Sequence, residues 1–251
     1  MKNKKSLGQH WLKNRAILDE IADEAVGFSV GPDLQLCLEI GPGLGTLTSS
    51  LLKRFEKVLA VEFDADLAKK LPGSFPGKNL EVVNADFLQF DLEKMPSPYV
   101  IAGNIPYYIT SPIIEKILKA ENLPKRVVLL IQKEVAERIL SEKSSILSLA
   151  VKNRANARAG VFVPREEFTP PPKVDSEVII LEPHPPIVSE AVMKFIQVAF
   201  SSPRKKLMHN LEVLKGRQVL ETAFLELGID PNARPADLNL ETYKQLFESM
   251  L

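Results

Sequence analysis

The sequence predicts an α/β protein: a doubly wound, mainly parallel sheet followed by a small all-helical C-terminal domain. Three observations carry this. Short apolar runs recur in the first two thirds of the chain, most of them separated by enough residues for a helix. The first run leads into a glycine-rich turn, Glu39-Ile40-Gly41-Pro42-Gly43-Leu44-Gly45. Beyond the stiff segment Glu182-Pro183-His184-Pro185-Pro186, the apolar residues fall at helical spacing to the end.

The elements follow in order. Ile17, Leu18, Ile21, Ala22, Ala25 and Val26 form a helical stripe, with Asn14 placed as its N-cap. The strand candidates are Leu36–Ile40, Val58–Val61, Leu80–Val83, Val100–Ala102 and Val127–Ile131. The glycine turn is expected to open a helix near Thr46. Two later runs, Ala159–Val163 and Val178–Leu181, enclose a proline-rich loop with no room for a crossover helix. They read as a hairpin-like pair that adds an antiparallel strand. In the helical part, Val188, Val192, Phe195, Ile196 and Ala199 share a face. So do Leu207, Leu211 and Leu214, and then Val219, Ala223, Phe224 and Leu227. The expected domains are 1–185 and 186–251. No internal repeat is visible.

Composition narrows the class. Of 251 residues, 45% are hydrophobic, enough for a sizeable core, and no apolar run is long enough for a membrane helix. The basic N-terminus has no apolar stretch behind it and does not read as a secretory signal. One cysteine, Cys37, excludes a disulfide framework and fits a cytoplasmic protein. Cys37 lies between Leu36 and Leu38 inside a strand, so it reads as a small core residue and not a nucleophile. His10, His184 and His209 are too dispersed to predict a metal site.

Formal net charge is zero, but the charges are not evenly spread. Lys2, Lys4, Lys5, Lys13 and Arg15 precede any acidic residue. Lys152, Arg154, Arg158 and Arg165 form a second cluster, and Arg204, Lys205 and Lys206 a third. Any one of them alone reads as a solvated face. The third follows Pro203 at an expected helix N-terminus, where positive charge opposes the helix dipole. That local cost points to a partner such as RNA phosphate.

Three successive strands end in groups suited to an adenosyl ligand. Gly41, Gly43 and Gly45 let the backbone turn sharply and approach a ligand. Thr46 stands where a dinucleotide fingerprint has its third glycine. Glu62 ends the next strand about 20 residues on, where a carboxylate accepts from ribose hydroxyls. Asp86 and Phe87 end the third, an acceptor for an adenine amino group beside a ring to pack on it. Taken singly, Glu62 is equally a surface residue and Asp86 equally a helix cap; the conjunction favours the ligand.

The fourth strand runs into Gly103-Asn104-Ile105-Pro106-Tyr107-Tyr108, the most specific signal in the chain. The exocyclic amine of adenine is a poor nucleophile because its lone pair is delocalised into the ring. Acceptors for its hydrogens stabilise the charge that develops as the nitrogen becomes tetrahedral. The Asn104 side-chain oxygen and the Ile105 carbonyl are the candidates, with Pro106 stiffening the loop and Tyr107 stacking on the base. A base reached in this way is flipped from its stack and needs a second aromatic wall. Phe168, in Phe168-Thr169-Pro170-Pro171-Pro172-Lys173-Val174-Asp175-Ser176, is the candidate, balanced against a role as a core anchor for that loop.

On these residues the sequence resembles the small-subunit (16S) ribosomal RNA adenine N6,N6-dimethyltransferases. The similarity runs from Lys5 almost to the C-terminus. It takes in Lys5–Leu12, Glu39–Gly45, Val61–Asp64, Asn84–Asp86, Asn104–Tyr107, Gln132–Arg138, Phe168–Ser176 and Phe200–Leu211. The resemblance implies a seven-stranded, Rossmann-like methyltransferase sheet, S-adenosyl-L-methionine as cofactor, and two adjacent adenines near the 3′ end of small-subunit ribosomal RNA as targets. It also implies a partner in the immature small ribosomal subunit. A monomer is the expected state, with no membrane partner. Gln9, His10 and Leu12 are implied to help close the cofactor site beside Gly41, Gly43, Glu62, Asp86 and Asn104. Two positions depart from the family pattern: Trp11 stands where Phe is usual, and Ser145-Ile146 where a Tyr-Gly pair is usual.

Four other readings compete. A large-subunit RNA methyltransferase of the resistance type shares the cofactor and catalytic motifs; Phe168–Ser176 and Arg204–Lys206 favour the small-subunit group. A DNA adenine methyltransferase lacks support because there is no sizeable target-recognition insertion. A non-catalytic assembly factor is disfavoured by the intact Asn104–Tyr107 loop, and a nicotinamide enzyme by Thr46 and that same loop.

Overall fold

The computed structural model describes residues 10–27 and 35–251. Gln9, with Lys2, Lys4 and Lys5 of the first basic cluster, lies outside the described residues. The chain divides into two compact units. One takes the chain through Ala136 together with Asn156–Pro183, and the other Glu137–Ala155 together with His184–Leu251.

The first unit holds strands β1 (Trp11–Leu12), β2 (Leu36–Ile40), β3 (Lys57–Glu62), β4 (Leu80–Asn84), β5 (Val100–Asn104), β6 (Arg126–Gln132), β7 (Ala155–Val163), β8 (Phe168–Thr169) and β9 (Ser176–Pro183). Seven of them form one sheet in the order β4-β3-β2-β5-β6-β9-β7, and β1 pairs with β8 apart from it. Strands β2 to β6 are mutually parallel, and β9 runs antiparallel to β6, with Val128 opposite Ile180. The sheet is thus the seven-stranded α/β sheet expected, with its antiparallel strand.

Burial on both faces explains the near-continuous apolar strands. Cys37, Val58, Val100, Ala102, Val128 and Leu130 pack into one cluster with Leu18, Ile21, Ala22 and Ala25 of helix α1 (Arg15–Val26). The alternating residues Leu38, Ile101, Val127 and Leu129 are fully buried too, so the opposite face is covered as well. Asn14 caps α1 as expected, accepting from Ala16 N at 3.0 Å and Ile17 N at 3.4 Å, a contribution of about 1 kcal/mol.

The chain leaves β2 towards β3 and β4, then returns to β5 on the other side of β2. The strand order reverses there, which opens a crevice at the carboxyl ends of β2 and β5. The helix after the glycine turn is shorter than expected. Turns run from Gly43 to Leu47 and only Thr48–Leu51 (α2) is helical. Gly45 has φ 81°, outside the helical range, and a side chain there would meet Leu71 and Phe75. Helix α3 (Ala65–Lys70) links β3 to β4, 3-10 turns link β4 to β5, and α4 (Thr110–Lys119) links β5 to β6; α5 (Lys133–Leu140) follows β6.

The second unit contains α6 (Ile146–Arg154), α7 (Glu190–Ala199), α8 (Leu207–Leu211), α9 (Arg217–Glu226) and α10 (Leu240–Glu248). Its core gathers Leu149, Val192, Phe195, Ile196, Leu207, Leu211, Leu220, Phe224, Tyr243 and Leu246. The expected division at 185 therefore needs correction upstream. Residues 137–155 belong with the helical unit, because Leu149 of α6 packs into that core. The α9 stripe is Leu220, Ala223 and Phe224, while Val219 and Leu214 are exposed. At the Ser145-Ile146 departure, Ser145 forms a capping box with Ser148 at the start of α6, so the local geometry is secured by hydroxyls.

The second basic cluster is engaged locally. Arg158 pairs with Glu24, Arg165 Nε lies 2.9 Å from Glu166, and Lys152 Nζ donates to the Ser141 carbonyl at 3.1 Å. Arg204, Lys205 and Lys206 are exposed in the turn before α8. Lys205 Nζ stands 3.0 Å from His209 Nε2.

Candidate active site

A cavity of about 250 Å3 opens at the carboxyl ends of β2, β3, β4 and β5. His10, Gly41, Gly43, Glu62, Asp86, Phe87, Asn104, Ile105, Pro106 and Tyr107 all line it. Four parallel strands, adjacent in the sheet, bring all of them but His10 together from distant parts of the chain, and His10 reaches the site from just before β1.

The glycine turn is held open by positive φ at Gly41 (63°) and Gly43 (57°). A Cβ on Gly41 would meet nothing within 4 Å, so the turn leaves room for a ligand against its backbone. Glu62 is buried, and its two oxygens accept from Gly43 N at 3.0 Å and Asp64 N at 2.8 Å. Burial pushes its carboxyl above the usual range, and those amides pull it part of the way back. Asp86 Oδ1 caps the following 3-10 turn through Leu88 N at 2.9 Å while the residue lines the cavity. Cap and ligand acceptor are compatible roles for two carboxylate oxygens.

Glu39 lines the floor of the cavity, 1% exposed, and sequence reasoning missed it. Its Oε2 has no hydrogen-bond partner among the described residues. Burial first, with the neighbouring Glu62 charge, pushes its carboxyl up to about 8. The cavity thus presents Glu39, Glu62 and Asp86, and among its described lining residues there is no lysine or arginine. Such a site favours a cation and opposes the pyrophosphate of a dinucleotide. The same three carboxyls form no metal cluster: no group of three potential metal ligands is found among the described residues.

At the end of β5, Asn104 Nδ2 donates to the His10 carbonyl at 3.0 Å. Tyr107 stacks on His10, with ring centroids 6.0 Å apart and planes 17° apart. Its hydroxyl shares a 2.7 Å hydrogen bond with Ser176 Oγ, and burial raises its pKa.

Two expected residues are elsewhere. Phe168 is 2% exposed, sits in the α1 core cluster and is not among the residues that line the cavity, which favours its role as a core anchor. Leu12 lies opposite it in the β1–β8 pair, with its side chain fully buried and not among the lining residues either. The cause is alternation along β1: Leu12 turns into the core and its neighbour Trp11 lines the cavity, its indole close enough to Gly43 that a side chain there would touch it. The rings that the rim offers are Phe63 and Tyr108, both lining the cavity and both more than 60% exposed. Their exposure shows only in the folded structure; the sequence alone does not separate them from Phe168.

The chain is similar over nearly its whole length to proteins of known name. A ribosomal RNA small subunit methyltransferase A from Picosynechococcus sp. is 37% identical, over 96% of this chain and 94% of the relative. The protein of that name from Mycoplasma mycoides is 34% identical over 98% and 97%. Among solved structures, a dimethyladenosine transferase from Plasmodium falciparum superposes with a TM-score of 0.77 at 28% identity, covering 94% of this chain and 96% of that one. The 23S rRNA methyltransferase ErmE gives 0.76 at 31%, covering 96% and 99%. The sequence model of the ribosomal RNA adenine dimethylases matches residues 1–251, and the chain belongs to that family.

Proposed function

We propose that this chain transfers methyl groups from S-adenosyl-L-methionine to the N6 amines of two adjacent adenines near the 3′ end of small-subunit ribosomal RNA. It acts as a monomer during subunit biogenesis in the cytoplasm, with the immature small subunit as its partner. The observation that carries the cofactor is the acidic lining of the cavity. S-adenosylmethionine is a net cation through its sulfonium and ammonium groups; Glu62 and Asp86, with Glu39 able to ionise beside a bound cation, suit it, and no lysine or arginine is among the described lining residues. The orphaned Oε2 of Glu39 has an acceptor to offer the ammonium, Glu62 serves the ribose, and Asp86 with Phe87 serves the adenine.

When bound, the cofactor supplies an electrophilic methyl group whose leaving group is a neutral thioether. The protein's part is to present the amine. Asn104 Oδ1 and the Ile105 carbonyl accept its two hydrogens as the nitrogen becomes tetrahedral, and the surplus proton passes to water after the N–C bond has formed. Tyr107 and Tyr108 hold the flipped base at the mouth. Arg204, Lys205 and Lys206 bind RNA phosphates.

Incubation with labelled cofactor and unmethylated small subunits, with the product mapped by mass spectrometry, tests the reading. Dimethyladenine at two neighbouring positions is expected. The similarity to a 23S enzyme makes large-subunit RNA the control: methylation there and not on the small subunit overturns the proposal.

A further inference from the structure

We infer that His10 is a positioning residue for methyl transfer, holding the Asn104 amide with its oxygen towards the target amine and fixing the Tyr107 ring beside it. This rests on the reading of Asn104 as an acceptor. A side-chain amide has a donor end and an acceptor end of nearly equal size, and only the acceptor end assists the amine. Asn104 Nδ2 is bonded to the His10 carbonyl at 3.0 Å. Reversing the amide would set its oxygen against that carbonyl oxygen, so His10 selects the orientation that turns the acceptor away from itself.

A carbonyl does this only if its own position is fixed, and three ties fix it. Trp11 and Leu12 pair with Thr169 and Phe168. His10 Nδ1 lies 2.7 Å from the Pro170 carbonyl; as a carbonyl only accepts, Nδ1 carries the proton. The imidazole stacks on Tyr107, whose hydroxyl is held by Ser176. Residues 168–176 therefore brace the catalytic loop from two sides, through His10 and through Tyr107. This gives the segment a role in the site although Phe168 does not line it.

A residue that only walls the cofactor would change cofactor affinity. A residue that orients Asn104 changes the rate with cofactor saturating. The test compares His10→Ala, His10→Asn and Asn104→Ala in the full-length protein. Cofactor affinity is read by calorimetry, and single-turnover transfer to unmethylated small subunits is read at saturating cofactor. His10→Ala is expected to slow transfer about tenfold or more with cofactor affinity within about threefold of wild type. His10→Asn is expected to recover most of that rate, because an asparagine Nδ2 stands where the imidazole Nδ1 does and reaches Pro170. In the ligand-free protein, the Asn104 side-chain NH2 signal, assigned by its disappearance in Asn104→Ala, is expected to exchange slowly in wild type and His10→Asn and rapidly in His10→Ala. A wild-type saturating rate in His10→Ala with weakened cofactor binding overturns the inference. So does unchanged exchange of the Asn104 amide. Near-normal turnover in Asn104→Ala overturns the acceptor reading itself, whatever the His10 variants do.

Discussion

Glu62 ties the glycine turn to the next strand: its Oε2 accepts from Gly43 N at 3.0 Å while Oε1 accepts from Asp64 N at 2.8 Å. One buried carboxylate thus shapes the wall of the cavity and lines it. The carboxylate keeps further lone pairs for a ligand hydroxyl. Glu62→Ala is expected to weaken S-adenosylmethionine binding by roughly 1–3 kcal/mol and to lower Tm, since two backbone donors lose their acceptor. Asp86→Ala is expected to weaken binding to a similar extent. Calorimetry showing unchanged affinity in both variants, or tight binding of NAD instead, would refute the cofactor assignment.

Asn104→Ala is expected to reduce methyl transfer on the order of 10²–10³-fold while cofactor affinity stays close to wild type, because its acceptor acts on the target amine. Single-turnover rates on unmethylated small subunits are the measurement, and near-normal turnover is the outcome that removes Asn104 from the mechanism.

Glu39 gives the site a pH signature. Burial pushes its carboxyl up to about 8 in the folded protein, against an ordinary value of 4.5. The folded state therefore holds this proton more tightly than the unfolded chain. The stability linked to it is complete below about pH 4.5 and is lost as pH rises through about 8. Glu39→Gln is expected to flatten the fall in Tm of the ligand-free protein between about pH 6 and about pH 8.5. A cationic cofactor favours the carboxylate, so binding at neutral pH should release a proton in wild type and not in the variant. Calorimetry in buffers of different ionisation enthalpy reads that release; equal release in both proteins removes Glu39 from the site.

Phe168 and Tyr108 separate packing from function. Phe168→Ala empties a buried site and is expected to cost about 3–5 kcal/mol in denaturant unfolding. Tyr108→Ala, at an exposed ring, is expected to stay within about 0.5 kcal/mol of wild type and yet to slow transfer to the subunit. A stable Phe168→Ala with abolished activity would reverse the two roles.

Neutralising Arg204, Lys205 and Lys206 together is expected to weaken small-subunit binding and to flatten its salt dependence, by about one in slope for each phosphate left without its cation. Cofactor affinity should not change. Equal affinity and slope in the triple variant would make these side chains a solvated surface.

The strands were legible because burial on both faces demands continuous apolar runs such as Val127–Ile131, and the N-cap at Asn14 because its hydrogen bonds are local. The glycine turn, Glu62, Asp86 and the Asn104–Tyr107 loop were legible for a related reason: each sits at the end of a strand, and a parallel sheet carries strand ends to one edge whatever lies between them. The facing of a side chain was not legible where a partner distant in sequence decides it. Phe168 turns inward because β8 pairs with β1, and Leu12 goes with it. Arg158 is matched to Glu24 from 134 residues away, and Asn104 is oriented by a backbone carbonyl 94 residues away, which no side-chain pattern encodes. The acidic lining of the cavity, too, is a property of the assembled walls: Glu39, Glu62 and Asp86 come from separate strands, and only folding brings them together with no lysine or arginine among the described lining residues.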